Sequence, residues 1–255
     1  MIRGLYAAAS GMMANIIRQQ ATTNNLANVN TPGYKEDAPL PVAFPEMLVA
    51  SVGGVSRFPA VPWYPPVGDL GTGIVIGGVE TNLSQGSLKE TSNPLDLAID
   101  GEAFFAVQAE NGATYYTRNG AFARDATGRL VTADGFLVLG EMGPFQLPEG
   151  EVTVAEDGTV AVDGHAAGRI RVVEFPDGTV LQKMGNCLFA PVGGEQPATA
   201  VNSSVRQGFL EMSNVDAARS MVEMMSALRS YEAEQRALSV QNQTLGLAVN
   251  ELGRV

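Results

Sequence analysis

Cysteine and histidine are almost missing from this chain of 255 residues, which has one of each, Cys187 and His165. A single cysteine excludes an intramolecular disulfide. One cysteine with one histidine cannot build a Cys/His zinc cage, so no metal site and no cofactor are expected. Basic residues are scarce too: 16 Lys and Arg stand against 27 Asp and Glu, for a net charge of −11. Nucleic acid and anionic lipid carry phosphates that would repel such a surface, so neither is an expected partner. Long apolar runs are missing; none reaches the ~18 residues that span a bilayer. The segment from Leu5 to Ser10 starts like a secretory signal. Gly11, Asn15, Arg18, Gln19 and Gln20 then interrupt it, so a cleavable signal peptide is not expected.

What is present is a chain that is 45% hydrophobic, enough for a folded core. Proline is distributed unevenly. Residues 1–31 have none, and their only glycines are Gly4 and Gly11. Residues 36–73 hold seven of the fourteen: Pro39, Pro41, Pro45, Pro59, Pro62, Pro65 and Pro66. Proline fixes φ and removes a donor, so this stretch is expected to be extended or irregular. Residues 214–252 again lack proline and read as helix. Between them, Asp-Gly or Asn-Gly pairs recur at 100–101, 111–112, 119–120, 134–135, 157–158, 163–164 and 177–178. Such pairs suit tight turns. The runs they separate, such as Ala103–Val107, Thr114–Thr117, Phe136–Leu139, Val152–Ala155 and Ile170–Phe175, are rich in β-branched and aromatic residues. The expected fold is mixed α and β. N- and C-terminal coiled-coil-forming helices pair with each other and flank a mostly antiparallel β domain. Four segments follow: an N-terminal axial helix and signature over 1–35, a Pro/Gly-rich extended linker over 36–80, a β domain of hairpins over 81–205, and a C-terminal axial helix over 206–255.

Both helical ends carry a heptad seam. In the first, Leu5, Ala9, Met12, Ile16, Gln19, Thr23 and Leu26 alternate by four and three. In the second, Met221, Met224, Leu228, Tyr231, Gln235, Leu238, Asn242, Leu245 and Val249 do the same, with Ala217 before and Leu252 after. Ser213-Asn214-Val215-Asp216 is predicted to cap this helix. The polar residues Gln19, Thr23, Gln235 and Asn242 weaken such a seam but restrict its register and partner number. A helix pair at the two chain ends, attached to a β domain, has its neighbours as the natural cover for this stripe. These residues are the expected assembly seam.

Between the first helix and the rest stands Asn24-Asn25-Leu26-Ala27-Asn28-Val29-Asn30-Thr31-Pro32-Gly33-Tyr34-Lys35. The asparagines suit a helix end, because they bond local backbone and tolerate left-handed geometry, and Pro32-Gly33 blocks continuation. This block resembles the N-terminal signature of the bacterial flagellar rod and hook family, carried here by Asn24, Asn25, Leu26, Ala27, Asn28, Thr31, Gly33 and Tyr34. Gly86-Ser87-Leu88, the stretch Asn93–Gly101 with Phe104-Phe105, Tyr116–Gly120, Leu130–Gly135 and Gln207–Glu211 resemble further family blocks, in order. Within the family the chain resembles the FlgF/FlgG rod group. Val138–Glu141 through Gly143-Pro144, followed by Leu147–Gly150, resembles the proximal rod protein, FlgF; Asn28–Thr31 is typical of the alternative, the distal rod protein FlgG. The resemblance implies a non-catalytic subunit that leaves the cell through the flagellar type III export apparatus. It would polymerise with itself and with other rod subunits in a helical tube, the basal-body rod that crosses the periplasmic space, and transmit torque from motor to hook.

Other readings are weaker. His165 sits beside an apparent turn, Asp163-Gly164. Asp96 and Asp100 are four apart on a strand-like stretch, without a nucleophile or cleft nearby. Cys187 reads as a small buried hydrophobe. The glycines from Gly71 to Gly78 lack the lysine and following helix of a phosphate loop. No catalytic residue and no small-molecule substrate are expected. A secreted β-rich adhesin or phage-tail-like module would explain the strands but not the paired helical ends.

Overall fold

The computed structural model describes residues 2–50, 66–176, 178–193, 196–200 and 203–252. Pro59, Pro62, Pro65 and the Asp177 half of one expected turn lie outside the described residues. The chain forms two compact units. A helical unit comprises Met1–Leu26, Asp37–Thr81 and Ala217–Val255; a β unit comprises Ala27–Glu36 and Asn82–Asp216.

In the helical unit, helix α1 spans Ile2–Ala27 and helix α2 spans Ala217–Leu252. Neither is interrupted by proline, which would cost a backbone bond and create a clash. α2 begins three residues later than a cap at Ser213 would require. Ser213 Oγ instead accepts from the N–H of Val215 at 3.3 Å, closing a turn before the helix. Among the described residues of the segment 36–80, most are extended and paired. Strands Glu36–Ala43 and Ile74–Asn82 form one ribbon, and Met47–Ala50 with Pro66–Leu70 form another. Ser10 fastens α1 to the first ribbon: its Oγ accepts from Ile74 N–H at 3.2 Å.

The β unit is built on one large sheet. Its main path runs Leu181–Gly185, Leu188–Pro191, Thr114–Thr117, Phe104–Gln108, Leu137–Gly140, Leu130–Thr132 and Phe122–Arg124. Adjacent strands on this path are antiparallel. A separate three-stranded meander, Val152–Val154, Thr159–Val162 and His165–Arg169, packs against it through Val160 and Val162. The run Phe104–Val107 is continuously apolar because both faces of its strand are covered. Phe105 and Val107 enter a core with Leu97, Ile99, Phe122, Val138 and Ile170. Phe104 and Ala106 enter another with Tyr116, Leu139, Val173 and Phe189.

Two further pairings tie the end of the β unit to its beginning. Ser204–Gln207 pairs with Leu97–Asp100, and Phe209–Glu211 pairs with Leu88–Glu90. The segment 206–216 therefore belongs to the β unit, and the C-terminal helix begins at Ala217.

Candidate functional site

The two helices pack antiparallel through small residues. Gly4 faces Gln241 and Gly11 faces Glu234, seven residues up one helix and seven down the other. A Cβ added at Gly4 would lie 2.5 Å from the Gln241 amide, and one at Gly11 would lie 2.4 Å from the Glu234 carboxylate. Asn15 Nδ2 donates to that carboxylate at 3.1 Å. On α1 the covered face runs through Gly4, Ala8, Gly11, Ala14, Asn15, Thr22 and Asn25. On α2 it runs through Ala217, Ser220, Met224, Ala227, Tyr231, Glu234, Leu238, Gln241, Leu245 and Ala248.

Only part of the expected seam lies on these covered faces. Met224, Tyr231, Leu238 and Leu245 do. Met221, Leu228, Gln235, Asn242 and Val249 are exposed, each one residue past a covered Ser220, Ala227, Glu234, Gln241 or Ala248. On α1, Leu5, Met12, Gln19 and Leu26 are half-buried, whereas Ala9, Ile16 and Thr23 are exposed. The exposed positions have order of their own. Tyr6, Ala9, Met13, Ile16, Gln20 and Thr23 keep a 3–4 spacing along one stripe of α1, and Tyr6 is 71% and Met13 64% accessible. On α2 the exposed apolar residues are Met221, Val222, Met225, Leu228, Val240, Leu247 and Val249. Apolar residues repeating at heptad spacing on a bare helix face mark a contact surface more often than chance exposure does.

The signature block divides between the units. Asn25 belongs to the helical unit and is buried. Its Nδ2 donates to Asp37 O at 2.9 Å, and its Oδ1 accepts from Asp37 N–H at 3.0 Å. One side-chain amide thus joins the end of α1 to the strand that follows. Asn24 and Ala27 are exposed; Leu26 and Asn28 are half-buried. In the β unit, Asn28 Oδ1 accepts from the Thr31 hydroxyl at 3.1 Å, which tightens the turn. Gly33 has φ +69°, and a Cβ there would sit 2.3 Å from Asn119 N. Its N–H donates to Glu211 O at 2.8 Å. Tyr34 is buried, with Lys183 Nζ 4.3 Å from its ring centroid.

Lys35 completes a buried ion triad that the sequence reading did not identify. Its Nζ donates to Glu211 Oε1 at 2.6 Å, and both side chains are fully buried. Glu211 Oε1 also accepts from Gly86 N–H at 2.9 Å. Its other oxygen lies 3.4 Å from Arg118 Nη1, which donates in turn to Gly101 O at 2.7 Å. Burial pushes the Lys35 ammonium below its ordinary pKa, with the neighbouring Glu211 opposing the shift. Burial lowers Arg118 likewise, again against Glu211. The partners are 176 and 93 residues apart, so no local spacing could reveal them. The available signal was that each charge sits inside a family block.

The candidate chemical groups are otherwise engaged. Asp96 accepts from Asn93 Nδ2 at 2.9 Å, and Asp100 pairs with Arg206 at 2.6 Å. His165 is exposed on an edge strand. Cys187 lies in a tight turn with φ +56°, and burial raises its thiol pKa. Among the described residues, no group of three or more His, Cys, Asp and Glu is placed to hold a metal.

Three family models match the chain. They are the flagella basal body rod protein over residues 5–35, the flagellar hook protein FlgE/F/G D1 domain over 98–162, and the flagellar basal body rod FlgEFG protein C-terminal domain over 206–251. The chain is similar at 32% identity, over the whole of both chains, to the flagellar hook-basal body complex protein FlhO of Bacillus subtilis. It is 31% identical to the flagellar basal-body rod protein FlgG of Borreliella burgdorferi, over 98% of each chain. It is 32% identical to FlgG of the same Bacillus strain, over 98% of this chain and 99% of that one.

Proposed function

Since the chain belongs to the flagellar basal-body rod and hook family, we propose that it is a structural, non-catalytic subunit of the distal, FlgG-type rod. The lean toward FlgF rested on two short blocks, Val138–Glu141 and Leu147–Gly150. Relatives named FlgG, matched at about 30% identity over nearly the full chain, support the distal alternative better. The observation that carries the assembly reading is the bare apolar stripe on each helix. α1 and α2 meet where Gly4 and Gly11 lie under Gln241 and Glu234, and they leave Tyr6, Met13, Ile16, Met221, Leu228 and Val249 outside. The proposed cover is the same stripes of neighbouring copies and of other axial subunits, in a helical tube. Passage through the flagellar export apparatus, and a place in the periplasmic span of the rod, are part of the same proposal.

Basal bodies from cells expressing Met13→Asp or Leu228→Asp test it. A charge placed in a dry contact costs several kcal/mol. Each variant should fold as a monomer, be absent from basal bodies and leave the cells non-motile. A motile Leu228→Asp strain with normal rods would remove that stripe from the contact.

A further inference from the structure

The β unit has a pocket of about 450 Å³ that polymerisation through the helices leaves unused. Leu83, Phe104, Phe175 and Leu181 form its apolar wall, and Arg118 and Glu102 its charged one. Phe104 and Phe175 meet edge to face at 5.9 Å. Arg118 is 2% exposed, and its Nε is buried without an acceptor. In the buried triad Arg118 and Lys35 share the single carboxylate of Glu211 as their ion-pair partner, and none of these pairings reaches Arg118 Nε. Glu102 on the rim acts on Arg118 from an exposed position. A buried donor without a partner is unfavourable, and an incoming acceptor would relieve it.

The same unit carries a protrusion that fits this chemistry. The strand Leu137–Gly140 turns through Glu141 and Met142 into Gly143–Pro144. Met142 is 104% accessible, the highest value of any large apolar residue described. Glu141 has a side chain 60% exposed and a long 3.5 Å pairing with Arg169. We propose that this Glu141–Met142 tip seats in the Arg118 pocket of a second copy. A thioether is flexible and makes favourable contacts with aromatic edges, which suits a wall of Phe104 and Phe175. The adjacent carboxylate brings the acceptor that Arg118 lacks. Tip and pocket are different patches of one chain, so the contact is head to tail and propagates along an assembly instead of closing a dimer. The proposal rests on the rod reading and adds to it a contact between β units.

Thiol cross-linking of intact basal bodies tests it, with the full chain carrying Cys187→Ser to remove the native thiol together with Met142→Cys and Thr179→Cys, the latter on the pocket wall. The pair should give a ladder of cross-linked multimers, and either cysteine alone should give none. Rods that contain the double variant but yield no ladder overturn this contact and leave the rod reading standing. Should the double variant fail to enter rods, Met142→Leu and Met142→Ser decide. Recovery with Leu and loss with Ser supports the seated apolar tip; equal recovery of both overturns it. Absence of the unmodified chain from basal bodies would overturn the rod reading and this contact together.

Discussion

Replacing Glu211 with glutamine isolates the charge of the buried triad from its shape. The glutamine keeps a carbonyl oxygen for Lys35 Nζ and Gly86 N–H, the contacts now at 2.6 and 2.9 Å. It removes the carboxylate that is ion-paired to two side chains no more than 2% exposed. Removing one partner of a fully buried pair costs about 3–5 kcal/mol, because the remaining charge is left uncompensated. Against a typical domain stability of about 5–15 kcal/mol, that is a large fraction. Urea unfolding followed by circular dichroism should show the loss. Amide exchange should place it in the strands Phe209–Glu211 and Leu88–Glu90, which Glu211 anchors. Replacing Lys35, Arg118 and Glu211 together with methionine should recover much of the stability, since no charge then remains buried. pH gives an independent check. The folded-state pKa of Lys35 already lies below its ordinary value through burial. Between that folded value and the ordinary one, about 10.4, the native state binds fewer protons than the unfolded chain. This group's contribution to stability therefore rises with pH across the window. Glu211→Gln removes the charge that opposes the shift, which widens the window downward. The variant should gain more stability than the parent as pH rises toward the ordinary lysine value. A loss below about 1 kcal/mol at neutral pH, or a variant that weakens as pH rises, would refute the argument.

Gly33→Ala should be more damaging than an ordinary glycine replacement. It combines φ +69° with a Cβ 2.3 Å from backbone Asn119 N, and neither can relax without moving the β unit; circular dichroism melts and expression yield measure it. Ala227→Asp should destabilise the α1–α2 pair in the monomer by a few kcal/mol, since Ala227 is 6% exposed, whereas Leu228→Asp should leave the monomer melt unchanged. Equal effects on the melt would show that the helices do not pack as described. Gln235→Leu with Asn242→Leu, both at exposed positions, should increase self-association in sedimentation and lower correct rod assembly; an unchanged monomer with normal motility would mean that these polar positions carry no specificity.

Local chemistry in the sequence foretold most of the β unit. Runs rich in β-branched and aromatic residues became strands, because such side chains fit a pleated and half-buried surface. Most of the Asp-Gly and Asn-Gly pairs became turns with glycine in the left-handed region. Asn119-Gly120 did not. A Cβ at Gly120 would lie 1.6 Å from Leu97 O, and the Gly120 carbonyl accepts from Leu97 N–H at 3.0 Å. That glycine permits close approach of two backbones and makes no reversal, a distinction that its dipeptide cannot express. The triad was hidden for a related reason. Lys35, Arg118 and Glu211 meet only after strands distant in sequence have paired, and a lone charge in a linear motif reads as solvated.

The helix register exposes a subtler limit. Choosing the largest apolar residues at heptad spacing on α2 selects Met221, Leu228 and Val249 with Met224, Tyr231, Leu238 and Leu245. The folded chain keeps the second group covered and turns the first outward. In its place it covers Ser220, Ala227, Glu234, Gln241 and Ala248, one residue back and about 100° around the helix. Both sets obey the same seven-residue repeat, so periodicity alone cannot separate them. Side-chain size can. α1 presents Gly4, Ala8, Gly11 and Ala14, and a helix approaching that face needs short residues, or long polar ones such as Glu234 and Gln241 that lie over the glycines. The large apolar residues are then left on the far flank of the central stripe. A helix that served only its own chain would gain nothing from methionine, leucine and valine there, because each exposed one adds aggregation risk without adding burial. Two flanks around one shared stripe, small toward the partner helix and large toward the outside, are what a helix needs when it must close a hairpin within its subunit and then meet another subunit.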